Sequence, residues 1–272
     1  MVTGGTGFLG RHVVESFTKK GYQVIALVRD IEKANKIPQL QKAKIEHCEI
    51  YNNNLSYAFP LNSILIHCAW GDVKDSMSPN HLERNLPDNY RFIKNAVDQK
   101  KLSRVVISGS CYEYGLKYGP VFASSSTKPN TPYAIAKVKL HKNLVKLQSK
   151  SNFQLTWARL FYMYGDGQDE NSIIPLLKKA IRNGEKKFDM SYGEQLLDYM
   201  PVEVAANQFL SLIEIDPGTY NICSGSPISL RRLMEKIMDE MNKNIKLNLG
   251  YYKYRKQDSI AIWGADPLNK IF

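Results

Sequence analysis

Tyr133 and Lys137 stand four residues apart in "PYAIAKVKLHK", a spacing that puts both side chains on one face of a helix. A lysine ammonium beside a phenol stabilises the phenolate and draws the tyrosine pKa down from about 10 toward working pH, each unit being worth about 1.4 kcal/mol. Such a pair is an acid/base device, although the same spacing also arises as a solvated surface pair. A second chemical signal stands at the start, in "MVTGGTGFLG". Gly5, Gly7 and Gly10 satisfy G-x-G-x-x-G, while Thr3, Gly4, Gly7 and Gly10 equally satisfy T-G-x-x-G-x-x-G. A loop of this kind turns a strand into a helix and lets backbone N–H groups and the positive end of the helix dipole face a pyrophosphate. An ordinary glycine turn is the bland alternative, and the surrounding pattern has to decide.

These groups need a scaffold. Phe8, Leu9, Val13, Val14 and Phe17 recur at helical spacing, "KKGY" ends that helix at Gly21, and "QVIALV" is an apolar run of buried-strand length. This is one βαβ unit, although only Met1 and Val2 precede Thr3, so most of the expected first strand is missing. Further on, "KIEHCEI" and "SILIHCAW" predict strands and "HLERNLPDNYRFIKNAVDQK" a helix that must accommodate Pro87. "RVVISGS" predicts a strand, "TPYAIAKVKLHKNLVKLQSK" a helix and "FQLTWARLFYMYG" a strand. The alternation predicts an α/β fold, a doubly wound parallel sheet whose ligands collect beyond the carboxyl ends of its strands. After Gly165 the pattern loosens: "SIIPLLKKAIRNG" predicts a helix broken by proline, "VEVAANQFLSLIEI" another, "GTYNIC" a strand and "SLRRLMEKIMDEMNK" a third helix. The expected division is a dinucleotide-binding domain over residues 1–165 and a smaller C-terminal substrate-binding lobe over 166–272, closing over the strand ends.

With 272 residues and 43% hydrophobic content the chain can bury a full core. Cys48, Cys68, Cys111 and Cys223 are scattered without a C-x-x-C pair, so they predict reduced thiols, no disulfide framework and no metal site. No run approaches eighteen apolar residues, and the first residues form a turn rather than a charged segment followed by an apolar one. The expectation is a cytoplasmic protein without a membrane partner. The net charge of +11 suits an anionic partner, but the lysines read as solvated helix faces and no basic run with interleaved aromatics marks a nucleic-acid surface.

"VTGGTGFLG", "LIHCAWG", "VVISGSCYEYG", "PYAIAK", "RLFYMYGDGQ", "GEQLLDYMPVEVA" and "YNICSG" follow one another as they do in the extended short-chain dehydrogenase/reductases, the nucleotide-sugar epimerase, dehydratase and reductase branch. The sequence resembles that family over nearly its whole length. The resemblance implies a Rossmann-type fold, a nicotinamide cofactor against Thr3, Gly4, Gly7, Phe8 and Leu9, and a catalytic group of Ser110, Tyr133 and Lys137, with Tyr133 and Lys137 also among the cofactor contacts and Lys137 touching the nicotinamide ribose. Ser108 is the rival to Ser110 by proximity, and the motif favours Ser110. Family position puts Ala69 and Trp70 beside the nicotinamide, Trp70 having the equal alternative of a core aromatic. Glu49 is a candidate for the adenine amino group, or an idle glutamate at a strand end. His67, in an apolar strand end, reads as a satisfied core histidine.

The departures also carry information. Relatives that dehydrate sugars have an acidic pair where Cys111 and Tyr112 stand, which disfavours dehydration. Tyr162 replaces an asparagine that helps hold the diphosphate, and Leu197 an arginine that binds phosphate, in the element that also supplies Gln195. Arg255 matches a later diphosphate-binding arginine, with a surface arginine in a basic tail as the alternative. Substrate contacts are therefore expected from Ser110, Tyr162, Gln195 and Arg255. In NAD-preferring relatives an acidic residue follows the second strand; Val28 stands there, with Arg29 next and Asp30 one further, close enough to swing back. An arginine there pairs with a 2′-phosphate, so the expected cofactor is NADP, with NAD as the alternative.

The leading expectation is an NADP-dependent reductase of the C4 ketone of a nucleotide-linked 6-deoxy-4-keto-hexose, with a homodimer as a compatible assembly. The same-fold alternative is a nucleotide-sugar C4 epimerase with tightly bound NAD. From another class, the charge and the altered phosphate contacts fit a catalytically silent dinucleotide sensor or an RNA-associated protein.

Overall fold

The computed structural model describes residues 1–51 and 57–268. Seven parallel strands form the central sheet. In chain order these are β1 (Val2–Thr3), β2 (Ile25–Val28), β3 (Lys44–His47), β4 (Ser63–His67), β5 (Leu102–Ser110), Gln154–Leu160 and Thr219–Ile222. Across the sheet the order is Thr219–Ile222, Gln154–Leu160, β5, β4, β1, β2, β3. The order reverses at β1, where a crevice opens between the carboxyl ends of β1 and β4. Short as it is, β1 is pinned on both sides, Val2 opposite Ala26 and Ile66, Thr3 opposite Leu27 and His67.

Alternation along the strands builds two cores. Ala26, Val28, Ile66 and Val106 point to one face and pack with Leu9, Val13 and Phe17 of α1 (Phe8–Lys19) and with Ala205 and Phe209 further along. Leu27, Leu65, Val105, Ile107 and Trp157 point to the other and pack with Phe92 and Ile93 of one helix and Leu140 and Leu144 of another. In chain order the remaining helices are α2 (Ile31–Asn35), α3 (Leu86–Asp98), α4 (Pro132–Gln148), α5 (Ile173–Arg182), α6 (Val202–Glu214) and α7 (Leu230–Glu240). α5 and α7 build a third, separate cluster through Ile174, Leu177, Leu233, Met234 and Ile237, with Phe188 and Met190. Among the described residues no helix is long and apolar enough to cross a membrane.

The structure departs from the sequence pattern at the prolines and at one long strand. Pro87 sits at the start of α3, and a wider π-helical turn over His81–Asn85 precedes it. The missing N–H is thereby placed where helices leave donors unpaired. Pro175 does not break its helix: it lies in the first turn of α5, where no intrahelical partner is required. The run "FQLTWARLFYMYG" divides at Phe161; Gln154–Leu160 stays in the central sheet while Tyr162–Tyr164 turns away to pair with Tyr199–Pro201.

Candidate active site

The glycine loop joins β1 to α1. Gly4 has φ +69°, and a Cβ there would lie 2.8 Å from the Ala69 nitrogen at the end of β4; one on Gly10 would lie 2.1 Å from the Gly4 carbonyl. Only hydrogen fits at either point. Gly7 N–H closes the turn on Gly4 O at 2.8 Å and begins α1 without a side-chain cap, so donors of the first turn stay available to an anion. Gly4, Gly7, Arg29, Tyr51, Ala69 and Trp70 line a cavity of about 170 Å³ beside this helix end. Arg11 folds back over the loop, donating to Thr6 O at 2.9 Å and Gly7 O at 3.2 Å. Nothing in the local pattern marks Arg11 beyond its place one turn into the helix.

The other residues expected against a cofactor have varied surroundings. Leu9 is a core side chain and Phe8 sets its ring edge against His12. Thr3 is fully buried, and its hydroxyl meets His67 Nδ1 at 2.9 Å. His67 Nε2 lies 2.6 Å from Asn89 Oδ1, whose amide nitrogen donates to Asn85 O, so Nε2 carries the proton and Nδ1 accepts from Thr3. Glu49 Oε1 accepts from the Tyr51 N–H at 3.1 Å, a local turn contact. Asp30 caps α2 by accepting from Lys33 N at 2.8 Å, which holds its carboxylate in that helix end.

Burial pushes the His67 imidazole down from 6.5 to about 4, so it stays neutral in the fold. The unfolded chain binds this proton below pH 6.5 and the folded chain does not until near pH 4, so stability present above pH 6.5 is lost as pH falls through that window. Between pH 7 and pH 5 the loss from this group is on the order of 2 kcal/mol. Urea titrations at both pH values should show a drop that His67→Gln reduces by about that amount; equal drops in both proteins would mean that His67 takes up its proton in place.

Ser110, Tyr133 and Lys137 meet beyond the end of β5. Thr131 caps α4 by accepting from Ala134 N at 3.2 Å, and Pro132 opens the helix, so Tyr133 and Lys137 fall in its first two turns. Lys137 is 1% exposed; its Nζ donates to Ser108 O at 2.9 Å and stands 3.8 Å from the centre of the Trp70 ring, a cation–π contact. Burial pulls its ammonium down to about 7, the Glu113 carboxylate working against the shift. The Tyr133 phenol is raised above its ordinary value by burial, while a hydrogen bond with Ser110 acts the other way. This differs from the expectation of a lowered phenol: the lysine charge is directed at a carbonyl and an indole, and Nζ lies 5.8 Å from the Tyr133 ring centre. Ser108 turns its hydroxyl to His67 O at 3.1 Å, away from the phenol.

Two buried networks hold this group. Ser110 begins a short 3₁₀ turn, accepting from Tyr112 N at 3.2 Å while its own N–H donates to Glu113 Oε1 at 2.9 Å. Glu113 also accepts from Trp157 Nε1 at 2.9 Å and from Arg159 Nε at 2.8 Å. On the other side His81 Nδ1 accepts from Trp70 Nε1 at 3.1 Å, its Nε2 meets Asp75 O at 2.8 Å, and its ring lies 5.1 Å from that of Tyr133. Glu113, Arg159 and His81 were missed in the sequence because the contacts that tie them into the site, Glu113 with Trp157 and Arg159 and His81 with Trp70, span 11 to 46 residues.

A cleft of about 1250 Å³ opens one ring away from Tyr133, with Tyr112, Tyr162, Lys74, Asn171 and Arg255 on its walls. The Tyr112 ring lies 6.3 Å from Tyr133 and 6.2 Å from Tyr162, so a wall of phenols leads from the cleft to the catalytic group. Gln195 is buried and donates to Ser259 O at 3.0 Å, which places it behind the wall rather than on it. Leu197 belongs to the core with Ile262.

Residues 1–223 match the NAD dependent epimerase/dehydratase family. The chain is 30% identical over 270 residues to the dTDP-6-deoxy-L-talose 4-dehydrogenase (NAD(+)) of Aggregatibacter actinomycetemcomitans, covering 97% of this chain and 98% of the relative. It is 24% identical over 252 residues to CDP-abequose synthase of Salmonella typhimurium, covering 89% of this chain and 80% of that one. Among solved structures it resembles UDP-N-acetylglucosamine 4-epimerase from Methanobrevibacter ruminantium M1 in complex with UDP-N-acetylmuramic acid, with TM-score 0.85, 25% identity and coverage of 99% of this chain and 89% of that one.

Proposed function

This chain belongs to the NAD dependent epimerase/dehydratase family, and from that premise we propose that it reduces the C4 ketone of a nucleotide-linked 6-deoxy-4-keto-hexose with NADPH. The observation that carries the reading is the Tyr133 phenol, kept protonated by burial, hydrogen-bonded with Ser110 and one ring away from the cleft. A neutral phenol is the form that donates a proton. The names of two relatives, a 4-dehydrogenase of a 6-deoxy sugar and an abequose synthase, support C4 chemistry on a deoxysugar.

The glycine loop fits a dinucleotide, since its backbone is open where side chains would block approach and its helix end faces the cavity. When bound, the nicotinamide supplies the hydride that goes to the ketone carbon. Ser110 donates a hydrogen bond to the ketone oxygen and orients it, and Tyr133 gives that oxygen its proton as the C–H bond forms. Lys137, with its ammonium anchored on Ser108 O and the Trp70 face, sets a buried positive charge beside the group. Tyr162 and Arg255 bind the nucleotide-bearing part of the substrate from the cleft wall. NADPH consumption with a panel of nucleotide 4-keto-6-deoxysugars tests the reading; the expected result is stoichiometric reduction of at least one.

A second reading, C4 epimerase with retained NAD, is favoured by the likeness to the 4-epimerase. Protein purified with stoichiometric NAD, interconverting 4-epimers without net NADPH use, would establish it in place of the reductase.

The choice of NADP rests on Arg29 at the cavity and on Asp30, whose carboxylate is occupied in capping α2. A hydrogen bond between charged groups contributes about 1.5–3 kcal/mol, so Arg29→Ala should weaken NADPH binding about 10- to 100-fold and leave NADH within about twofold. Equal losses for both cofactors would assign Arg29 a structural role and return the preference to NAD.

A further inference from the structure

Arg29 shares the Tyr51 ring, on the wall of the glycine-loop cavity, with a second guanidinium. The Cζ of Arg29 lies 5.6 Å from the centre of the Tyr51 ring, and the Cζ of Arg84 lies 5.3 Å from the same ring centre. Tyr51 itself lines the cavity with Gly4, Gly7 and Arg29. Two like charges therefore converge on one aromatic ring at the rim of an anion-binding helix end. Their effect reaches the phenol: burial raises the Tyr51 pKa, and both arginines pull it down.

The nearby carboxylates are already engaged. Asp88 is paired closely with Arg91 and forms only a long ion pair with Arg84, 3.9 Å and without a hydrogen bond, while Glu49 accepts from the Tyr51 N–H. No carboxylate of the described residues lies within salt-bridge distance of Arg29. Arg84 is also well placed by the fold. It belongs to the π-helical turn His81–Asn85, whose flanks are fixed by His81 on Asp75 O and by Asn85 Nδ2 donating to Gly71 O at 3.1 Å. Pro87 and the turn that accommodates it thus bring an arginine from the α3 side of the crevice to the β2 side.

We propose that Arg84 is a second determinant of cofactor specificity, closing together with Arg29 on the ribose 2′-phosphate beside the Tyr51 ring that both arginines approach. The inference rests on the NADP reading above. It deepens that reading by charge: a phosphomonoester carries about −1.5 to −2 at pH 7, which one guanidinium leaves undercompensated and two match. Arginine is suited to the task because its planar fork can lie on an aromatic face and still present N–H donors to phosphate oxygens.

Binding of 2′,5′-ADP and of 5′-ADP to the full chain, measured by calorimetry, isolates the 2′-phosphate without any turnover. The wild-type protein should bind 2′,5′-ADP at least about tenfold more tightly than 5′-ADP. Arg84→Ala should lose about tenfold on 2′,5′-ADP and nothing on 5′-ADP, the latter showing that the fold and adenosine site are intact. Arg84→Lys should recover part of the loss, and Arg29→Ala combined with Arg84→Ala should abolish the discrimination. Wild-type discrimination that survives Arg84→Ala unchanged would overturn the role of Arg84 and leave Arg29 as the sole determinant. A wild-type protein that binds the two nucleotides equally would overturn the NADP reading and this inference with it.

Discussion

A Tyr133→Phe enzyme should reduce its sugar substrate at least 10²–10⁴-fold more slowly than the wild type, the range about which general acid–base catalysis contributes, while binding NADPH almost normally. The substitution keeps the ring in its edge contacts with Trp70, His81 and Tyr112 and deletes the hydroxyl that meets Ser110. Nothing in the 170 Å³ cavity changes, since Tyr133 is not among its lining residues. Single-turnover rates measured beside NADPH affinity separate the two quantities. Because burial keeps the phenol protonated, the rate of the reductive direction should not rise with pH through the neutral range as a phenolate-dependent step would. Near-normal turnover by Tyr133→Phe would transfer the proton-donor role to Ser110 or to water.

The glycine loop and the succession of parallel strands along the chain were legible because both obey short-range rules: a tight turn admits only glycine, and buried parallel strands are apolar runs of limited length. The loop at Gly4 and Gly10 bears this out atom by atom, each lacking room for a Cβ. What was not legible is the electrostatic state of the catalytic group. Helical spacing brings Tyr133 and Lys137 to one face, but it cannot tell where a four-carbon side chain ends, and Lys137 ends on Ser108 O and the Trp70 face. Trp70, read either as a neighbour of the nicotinamide or as a core aromatic, lines the cavity while its ring face covers the lysine, a contact beyond the reach of local spacing. Similarly, a match to a motif position placed Gln195 among substrate residues, whereas its amide donates to the backbone of Ser259, a partner 64 residues away that no local pattern reveals. Pro87 was visible as an irregularity, but its consequence, an arginine carried to the far lip of the crevice, depends on the tertiary fold.

Glu113→Ala should cost about 3–5 kcal/mol of stability, the usual result of removing one partner from a buried ion pair. The carboxylate is fully buried and Arg159 nearly so, with the bonded Nε 2.8 Å from Oε2. Without Glu113 the guanidinium keeps only the Tyr114 hydroxyl at 3.2 Å and Ala123 O at 2.9 Å, neither of which balances its charge. The Ser110 N–H and the Trp157 indole N–H lose their acceptor at the same time, each a buried donor that costs about 1–3 kcal/mol when left unmade, though these losses overlap rather than add. Urea unfolding of the wild type, Glu113→Ala, and the double variant Glu113→Leu with Arg159→Met tests the account. Replacing both charges by apolar groups removes the stranded cation, so the double variant should be more stable than Glu113→Ala. It should stay below wild type, because the Ser110 and Trp157 N–H donors remain unpaired. Its turnover should stay low, because the N–H that fixes Ser110 beside Tyr133 has no carboxylate to donate to, and stability and catalysis then part company at one residue. A Glu113→Ala protein within about 1 kcal/mol of wild type, the size of an exposed pair, would show that water reaches Arg159 and that the network is not the foundation on which Ser110 is held.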